Sequence, residues 1–376
     1  MREIITLKWE KGNLFLLDQT LLPNTVTYVA CKSLEDVYQA IQTMIVRGAP
    51  AIGVSAGYGM VLSANAFDGT ETASFLDYFR EQGEYLKSSR PTAVNLMWAA
   101  DRMVKRAETL VDEGYPMEAV KKELEAEAVA IHEEDKQTNR NIGENLLSLL
   151  KDGDTVLTHC NAGSLATSEY GTALSVFYMA QEKGMNIKAF ADETRPRLQG
   201  ANLTAFELVE HGVDVTLICD NMAAVVLSQG KINALIVGCD RVAANGDTAN
   251  KIGTFSVSVL ANQFHVPVYI AAPTTTIDME CPTGKEIPIE ERSREEVLCI
   301  NGEYIAPKEV KTYNLAFDVT PAEYITAIVT EKGIVYPPFR DNLKILIKNR
   351  EEVKGSCLSF RPETPEIRRS LERRQV

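Results

Sequence analysis

Cys160 ends an apolar run in "TVLTHCNAGSLATSEYG", residues 155–171, and stands before an Asn161-Ala162-Gly163-Ser164 loop. The stretch after it, "LATSEYGTALSVFYMAQEKG", predicts a helix ending at Gly184. A thiol facing a helix N-terminus feels the positive end of the helix dipole, which lowers its pKa and favours the thiolate. The same loop offers backbone N–H groups to an anion such as phosphate. From position alone, a small buried filler in a tight turn weighs equally. His159 reads as a packed, hydrogen-bonded core histidine rather than as a partner of the thiol.

A second constellation is "IVGCDRVAANGDTANKIGT", residues 236–254. Here an apolar strand delivers Asp240, and Asn250-Lys251 are expected to open the next helix. A carboxylate at a strand end serves as general acid or base if its surroundings lift its pKa. Lys251 and the helix N-terminus could hold a phosphate. For an isolated motif, a turn-capping aspartate and a solvated lysine weigh more. Basic loops recur, however. Arg47 precedes the Gly48-Ala49-Pro50 turn, Arg90 precedes a proline and a helix, and Arg195, Arg197 and Gln199 share another strand-to-helix turn. Together with Cys160 and Asp240 they point to a small anionic substrate and acid–base chemistry.

Other chemistries lack support. No GxGxxG follows a strand and no GxxxxGK[ST] occurs, so no dinucleotide or nucleoside-triphosphate cofactor is expected. "GVSAG", residues 53–57, matches GxSxG but lies inside a helical stretch of small residues, so Ser55 reads as a packing residue. The four histidines lack ligand spacing, and no metal is expected. The seven cysteines form no CxxC pair, as suits reduced thiols in a cytoplasm. A net charge of −13 argues against nucleic acid, and no apolar run approaches the roughly 20 residues of a membrane span. The beginning, "MREIITLKWEKG", has no signal-peptide core, so the expectation is a soluble cytoplasmic protein.

Elements must position these residues. At 376 residues, two domains are expected. Residues 1–150 read as a short β start followed by helices, including Ser33 as a cap before "LEDVYQAIQTMIV" and a long helix from Met117 that Gly143 could break. From Lys151 the runs "TVLTH", "IKAFAD", "VTLICD", "ALIVGCD" and "VPVYIAAP" alternate with helical stretches. Continuous apolar runs suggest strands buried on both faces, hence a doubly wound parallel α/β sheet over 151–335. Their carboxyl ends carry Cys160, Asp192, Asp220, Asp240 and Pro273, and ligands bind at that edge of open α/β sheets. Residues 336–376 read as a mildly basic extension, a peripheral helix or partly disordered end.

Taken together, "RGAPAIG", "THCNAGSLATSEYGTAL", "DETRPRLQGANLTAFEL", "GCDRVAANGDTANKIGT" and "FDVTPAEYITAIVTEKG" resemble the methylthioribose-1-phosphate isomerase family. Its wider superfamily includes ribose-1,5-bisphosphate isomerases, 5-deoxyribose-1-phosphate isomerases and non-enzymatic regulatory subunits of a translation-initiation exchange factor. The resemblance implies a small N-terminal domain, a Rossmann-like C-terminal domain and a homodimer acting on a phosphorylated sugar in methionine salvage. It implies Cys160 and Asp240 as the catalytic pair. Arg47, Gly48, Ala49, Arg90, Gln199, Asn250 and Lys251 match substrate-binding positions. Leu315 departs from the pattern, which has proline there, and the tail is not part of it.

The implied chemistry is demanding, because a sugar phosphorylated on C1 is locked as a cyclic acetal. The enzyme must help break the C1–ring-oxygen bond and then move hydrogen from C2 to C1. The expectation is a protonated Asp240 donating to the ring oxygen while a Cys160 thiolate handles hydrogen. The C5 substituent, methylthio, methyl or phosphate, is left open by the sequence.

Overall fold

The computed structural model describes residues 4–91, 93–300 and 302–348. It opens with an antiparallel sheet of β1 (Leu7–Glu10), β2 (Asn13–Leu17) and β3 (Tyr28–Cys31). Five helices follow: α1 (Leu34–Gln42), α2 (Ala49–Ala66), α3 (Thr72–Lys87), α4 (Val94–Asp112) and α5 (Met117–Leu147). The expected cap of α1 is present, with Ser33 Oγ accepting from the Asp36 amide and Asp36 Oδ2 accepting from that of Ser33. Residues 51–64 of α2 are all buried, which suits a central helix without a polar face. Ser55 is part of that packing: its hydroxyl donates to the Ala51 carbonyl of its own helix.

A seven-stranded sheet dominates the remainder. Its strands are β4 (Thr155–Thr158), β5 (Lys188–Asp192), β6 (Val215–Ile218), β7 (Ala234–Val237), β10 (Val268–Ala271), β15 (Ala327–Thr330) and β16 (Gly333–Val335). Their order is β16-β15-β10-β7-β4-β5-β6, all parallel except β16. Helices cover both faces. Val156 of β4 joins a core with α5, α6 (Ser175–Glu182) and α7 (Ala205–Glu210). The next residue, Leu157, joins the opposite core with α8 (Ala223–Ser228), α9 (Thr254–Gln263) and α11 (Phe339–Lys348). Strand side chains alternate between faces, and both faces are dry, so the strands read as continuous apolar runs.

The sequence patterns did not reveal a second sheet. β8 (Arg241–Ala243) and β9 (Thr248–Lys251) form a hairpin within a four-stranded sheet ordered β11-β8-β9-β14, with β11 (Ile277–Asp278) and β14 (Phe317–Thr320). Asn250-Lys251 therefore end a strand and do not open a helix, which begins at Thr254. A short α10 (Glu295–Leu298) leads into the small hairpin β12 (Cys299–Ile300) and β13 (Glu303–Tyr304). Of the C-terminal extension, α11 packs Phe339, Leu343 and Leu346 into the core. Residues 349–376, the rest of the expected tail, lie outside the described residues.

Helix α5 runs unbroken through Gly143. The glycine serves close packing instead: a Cβ there would fall 2.7 Å from Met179 Cγ and 2.9 Å from Ser175 Cβ on α6. Glycine in a helix interior normally costs up to about 1 kcal/mol relative to alanine. Gly143→Ala should reverse that sign and lower Tm. Gly57→Ala in α2, whose nearest contact would be 3.4 Å, should be neutral or stabilising. Thermal melts of the two variants provide the comparison.

Candidate active site

The sheet's strand order reverses between β4 and β7: β5 and β6 lie to one side of β4, and β7 and β10 to the other. Such a reversal opens a crevice at the carboxyl ends of the two neighbouring strands. Cys160 comes just after β4 and Asp240 just after β7. The two residues singled out by type thus meet at one place in the fold.

Cys160 takes a left-handed backbone conformation, φ 66°, which costs a residue with a Cβ roughly 1–2 kcal/mol. Two threonines hold it there. The Cys160 amide donates to Thr194 Oγ1 at 2.8 Å, and its carbonyl accepts from Thr204 Oγ1 at 2.6 Å. Its thiol is directed at Gln199 Oε1, 3.5 Å away. Contrary to the sequence expectation, no helix follows it directly: after Cys160 come a loop and a 3-10 turn, Ser164–Ala166, and α6 starts only at Ser175. Without that dipole, burial pushes the thiol's pKa above its usual value, opposed by the nearby charges of Lys251 and Arg47.

Asp240 is solvent-exposed, and its amide donates to the Ala249 carbonyl of the hairpin. Desolvation raises its carboxyl pKa, while Lys251, Arg90, Arg47 and Arg292 pull it down. The hairpin brings Lys251, 6 % exposed, to the site. Its ammonium donates to the Ala316 carbonyl at 3.1 Å and lies 4.3 Å from the centre of the Phe317 ring. Burial lowers the pKa of Lys251, and likewise those of Arg47 and Arg90. Asn250 donates to Thr254 Oγ1.

Arg47 is 7 % exposed and donates through Nη2 to the carbonyl and to Oδ1 of Asn161, at 2.8 and 2.5 Å. Its Nε, and Nη1 of Arg90, are buried without a hydrogen-bond partner among the described residues. Gly48 has φ 86°, and a Cβ there would lie 2.4 Å from the Ala166 carbonyl, so only glycine makes this turn. Ala49 then begins α2, with Pro50 in its first turn and no side chain capping it. The guanidinium groups of Arg47 and Arg90 thus act electrostatically on Asp240, and that of Arg47 on Cys160 as well.

Several residues stand elsewhere than expected. Arg195 donates to the Pro196 and Val297 carbonyls, and Arg197 is paired with Glu296 at 2.6 Å. Asp220 accepts from the amides of Thr194 and Arg195, fixing that loop. Pro273 caps the 3-10 turn Thr274–Thr276. Arg292, which charges the site through its effect on Asp240 and Arg90, was hidden in the acidic-basic run "EERSREE". Asn161, Thr194, Thr204 and Glu207 were missed because nothing in their types or spacing marks them.

His159 is a core histidine, as its sequence position suggested. Its Nδ1 bonds Asp192 Oδ2 at 2.9 Å and its Nε2 donates to the Ile252 carbonyl at 2.8 Å. Burial opposes its protonation, but Asp192 prevails and the pKa is raised. His159, Asp192 and Asp220 offer ligand atoms within 4.8 Å of one another. Metal binding by this trio would require His159 to give up one of these bonds, so the residues fit an ion poorly.

The reversal of the thiol shift has a measurable consequence. Iodoacetamide at pH 7.5 should label exposed Cys219 and half-buried Cys299 before Cys160. Peptide mass spectrometry reads the order, and Cys160 reacting first would contradict a raised pKa.

Comparison with known proteins places the chain in context. A family model described as the Initiation factor 2 subunit family (IF-2B) matches residues 45–337. A 5-deoxyribose 1-phosphate isomerase of Clostridium botulinum (strain Kyoto / Type A2) is 58% identical over 350 residues, covering 93% of this chain and 100% of that protein. One from Bacillus thuringiensis serovar kurstaki is 57% identical over 342 residues, covering 91% and 98%. The crystal structure of 5-methylthioribose 1-phosphate isomerase from Pyrococcus horikoshii superposes with a TM-score of 0.87 at 45% identity, covering 93% and 97%. That of translation initiation factor eIF-2B subunit delta from A. fulgidus gives 0.85 at 42%, covering 92% and 100%. With its motifs spread across most of its length and these relatives matched nearly end to end, the chain belongs to the Initiation factor 2 subunit family.

Proposed function

We propose that this protein is an aldose–ketose isomerase converting a pentose 1-phosphate to the corresponding ketose 1-phosphate. One observation carries the reading: Cys160 and Asp240 stand just after the two strands at the sheet's reversal, beside buried guanidinium groups with unspent N–H donors. The unpartnered N–H groups of Arg47 and Arg90, with Gly48, Ala49 and Lys251, suit a phosphate dianion. Gln199 and Asn250 complete the polar lining.

A raised carboxyl pKa suits Asp240 to giving its proton to the ring oxygen as the C1–O bond breaks. Its conjugate carboxylate then takes the proton from the C2 hydroxyl as the C2 carbonyl forms. Hydrogen leaves C2 and arrives at C1 beside Cys160. If it travels as a proton, the thiol must first ionise, which Lys251 and Arg47 assist. If it travels as hydride, no thiolate is needed. The raised thiol pKa thus revises the expectation of a resting thiolate.

For the substrate we place 5-deoxyribose 1-phosphate first, because the 57–58% identical relatives are named for it. Methylthioribose 1-phosphate, the substrate suggested by the sequence motifs, is the second reading and is favoured by the Pyrococcus horikoshii structure. A regulatory binding role, suggested by the likeness to eIF-2B subunit delta from A. fulgidus, has no use for the Cys160–Asp240 pair. Purified protein assayed for ketose formation from both sugars and from ribose 1,5-bisphosphate distinguishes these. Turnover of none would refute the isomerase. In the same assay Asp240→Asn, which keeps shape but not the proton, should lower kcat by roughly 10²–10⁴-fold with affinity little changed. Near-normal kcat would remove Asp240 from the acid–base role.

We further propose the homodimer implied by the family resemblance, pairing through β6. β6 is the sheet's edge, and Leu217 on it, with Val209, Met222 and Val225 beside it, is exposed. An unpaired edge with an apolar surround is suited to pairing, and antiparallel pairing of two copies is two-fold symmetric. Leu217→Lys should shift the mass measured by light scattering from dimer toward monomer. A wild-type monomer would end this proposal.

A further inference from the structure

Glu207, on α7, is a wholly buried carboxylate that no salt bridge pairs among the described residues. Four donors converge on it instead. Oε2 accepts from the Ser164 amide at 2.8 Å, the Ser164 hydroxyl at 2.6 Å and the Tyr178 hydroxyl at 2.9 Å. Oε1 accepts from Nδ2 of Asn161. Room for the carboxylate comes from Gly163, where a Cβ would fall 2.0 Å from Oε1. Burying a charge in this way is costly unless hydrogen bonds compensate it, and four do so here.

The Asn161 amide is planar, so fixing one side fixes the other. Its NH2 faces Glu207 Oε1 and also Thr204 Oγ1 at 3.1 Å, and its Oδ1 must then face Arg47 Nη2. Turned over, the amide would oppose its NH2 to the guanidinium and leave Glu207 and Thr204 without their donor. A carboxylate offers no proton, so it permits only one orientation. Glu207 also stabilises the charged form of Arg47 at a distance.

We propose that Glu207 is a positioning residue of the phosphate site, acting through Asn161 to aim Arg47 at the anion. This rests on reading the site as that of a sugar 1-phosphate isomerase. Glu207→Gln tests it sharply. The three donors at Oε2 select the glutamine oxygen, so the new NH2 meets Asn161 Nδ2, donor against donor. Relief comes when the Asn161 amide turns over, which sets its NH2 against Arg47. In the double variant Glu207→Gln/Asn161→Asp, the aspartate accepts from Gln on one oxygen and from Arg47 on the other, at unchanged total charge.

Calorimetry with inorganic phosphate, kcat and KM for the sugar 1-phosphate, and thermal melts are measured on the wild type and both variants. Glu207→Gln should weaken phosphate binding and raise KM about tenfold or more, with a smaller loss in kcat. The double variant should return to within about threefold of the wild type, the signature of a coupled pair. Phosphate affinity within about twofold of wild type in Glu207→Gln would overturn the proposal, since a lost charge-assisted bond costs more than that. So would a double variant that folds yet fails to recover. If Glu207→Gln does not fold, the double variant decides: folding with phosphate binding supports the relay, and failure of either refutes it. A wild type that neither binds phosphate nor turns over the sugar would instead bring down the functional reading itself.

Discussion

Taking several cations out of water next to a thiol and a carboxylate is the constraint from which the rest of the site follows. Arg47 and Lys251 are nearly inaccessible and Arg90 is half-buried, and burial lowers the pKa of all three. The protein offsets part of that cost with the Asn161 carbonyl and amide oxygens, the Ala316 carbonyl and the face of Phe317. It leaves Arg47 Nε and Arg90 Nη1 without partners among the described residues. In the proposed function a phosphate dianion would supply the missing charge and acceptors, so recognition of a phosphorylated substrate and relief of the desolvation cost would be one event. A chain of net charge −13 thereby keeps a local surplus of positive charge where its chemistry is proposed.

Rigidity comes from elements that each hold more than one part of the site. His159, the residue before Cys160, is bonded to Asp192 on β5 and to the carbonyl of Ile252, which follows Lys251. Gly253 is pressed so close to the imidazole that a Cβ there would lie 2.6 Å from Cε1. The N-terminal strands reach the loop after Cys160 as well: Thr6 donates to the Ser164 carbonyl and Gln19 to that of Leu165. Sheet, hairpin and N-terminal region thus all hold segments next to Cys160, and in the proposed function displacing any of them would misplace a charged group relative to the substrate.

Membership of a family whose solved neighbours include both an isomerase and a structure titled as an initiation-factor subunit shows why the fold does not decide function. What discriminates is the set of side chains at the strand reversal. The catalytic proposal depends on a thiol and a carboxylate raised in pKa, and a binding protein requires neither. The sequence resemblance pointed to methylthioribose 1-phosphate, whereas the relatives at 57–58% identity are named for the 5-deoxy sugar. Both have an uncharged C5 substituent, so recognition of the phosphate and chemistry at C1 and C2 are common to the two.

The residue types and their local order determined a good deal. Continuous apolar runs ending at Thr158, Asp192, Ile218, Val237 and Ala271 identified the parallel strands, because burial on both faces leaves no polar alternation. The Ser33 cap was legible because its hydrogen bonds are local. Cys160 and Asp240 were legible as candidates because both follow strand ends. Tertiary structure alone decided the rest. The β8–β9 hairpin was misread because its pairing with β11 and β14 depends on segments distant in sequence. The direction of the Cys160 shift came from its burial, and the helix expected to follow it is a 3-10 turn with an irregular loop. Arg292, Asn161 and Glu207 acquire their roles only from neighbours far along the chain. Burial, orientation and the charge around a group belong to its three-dimensional surroundings, and a linear pattern carries no direct record of them.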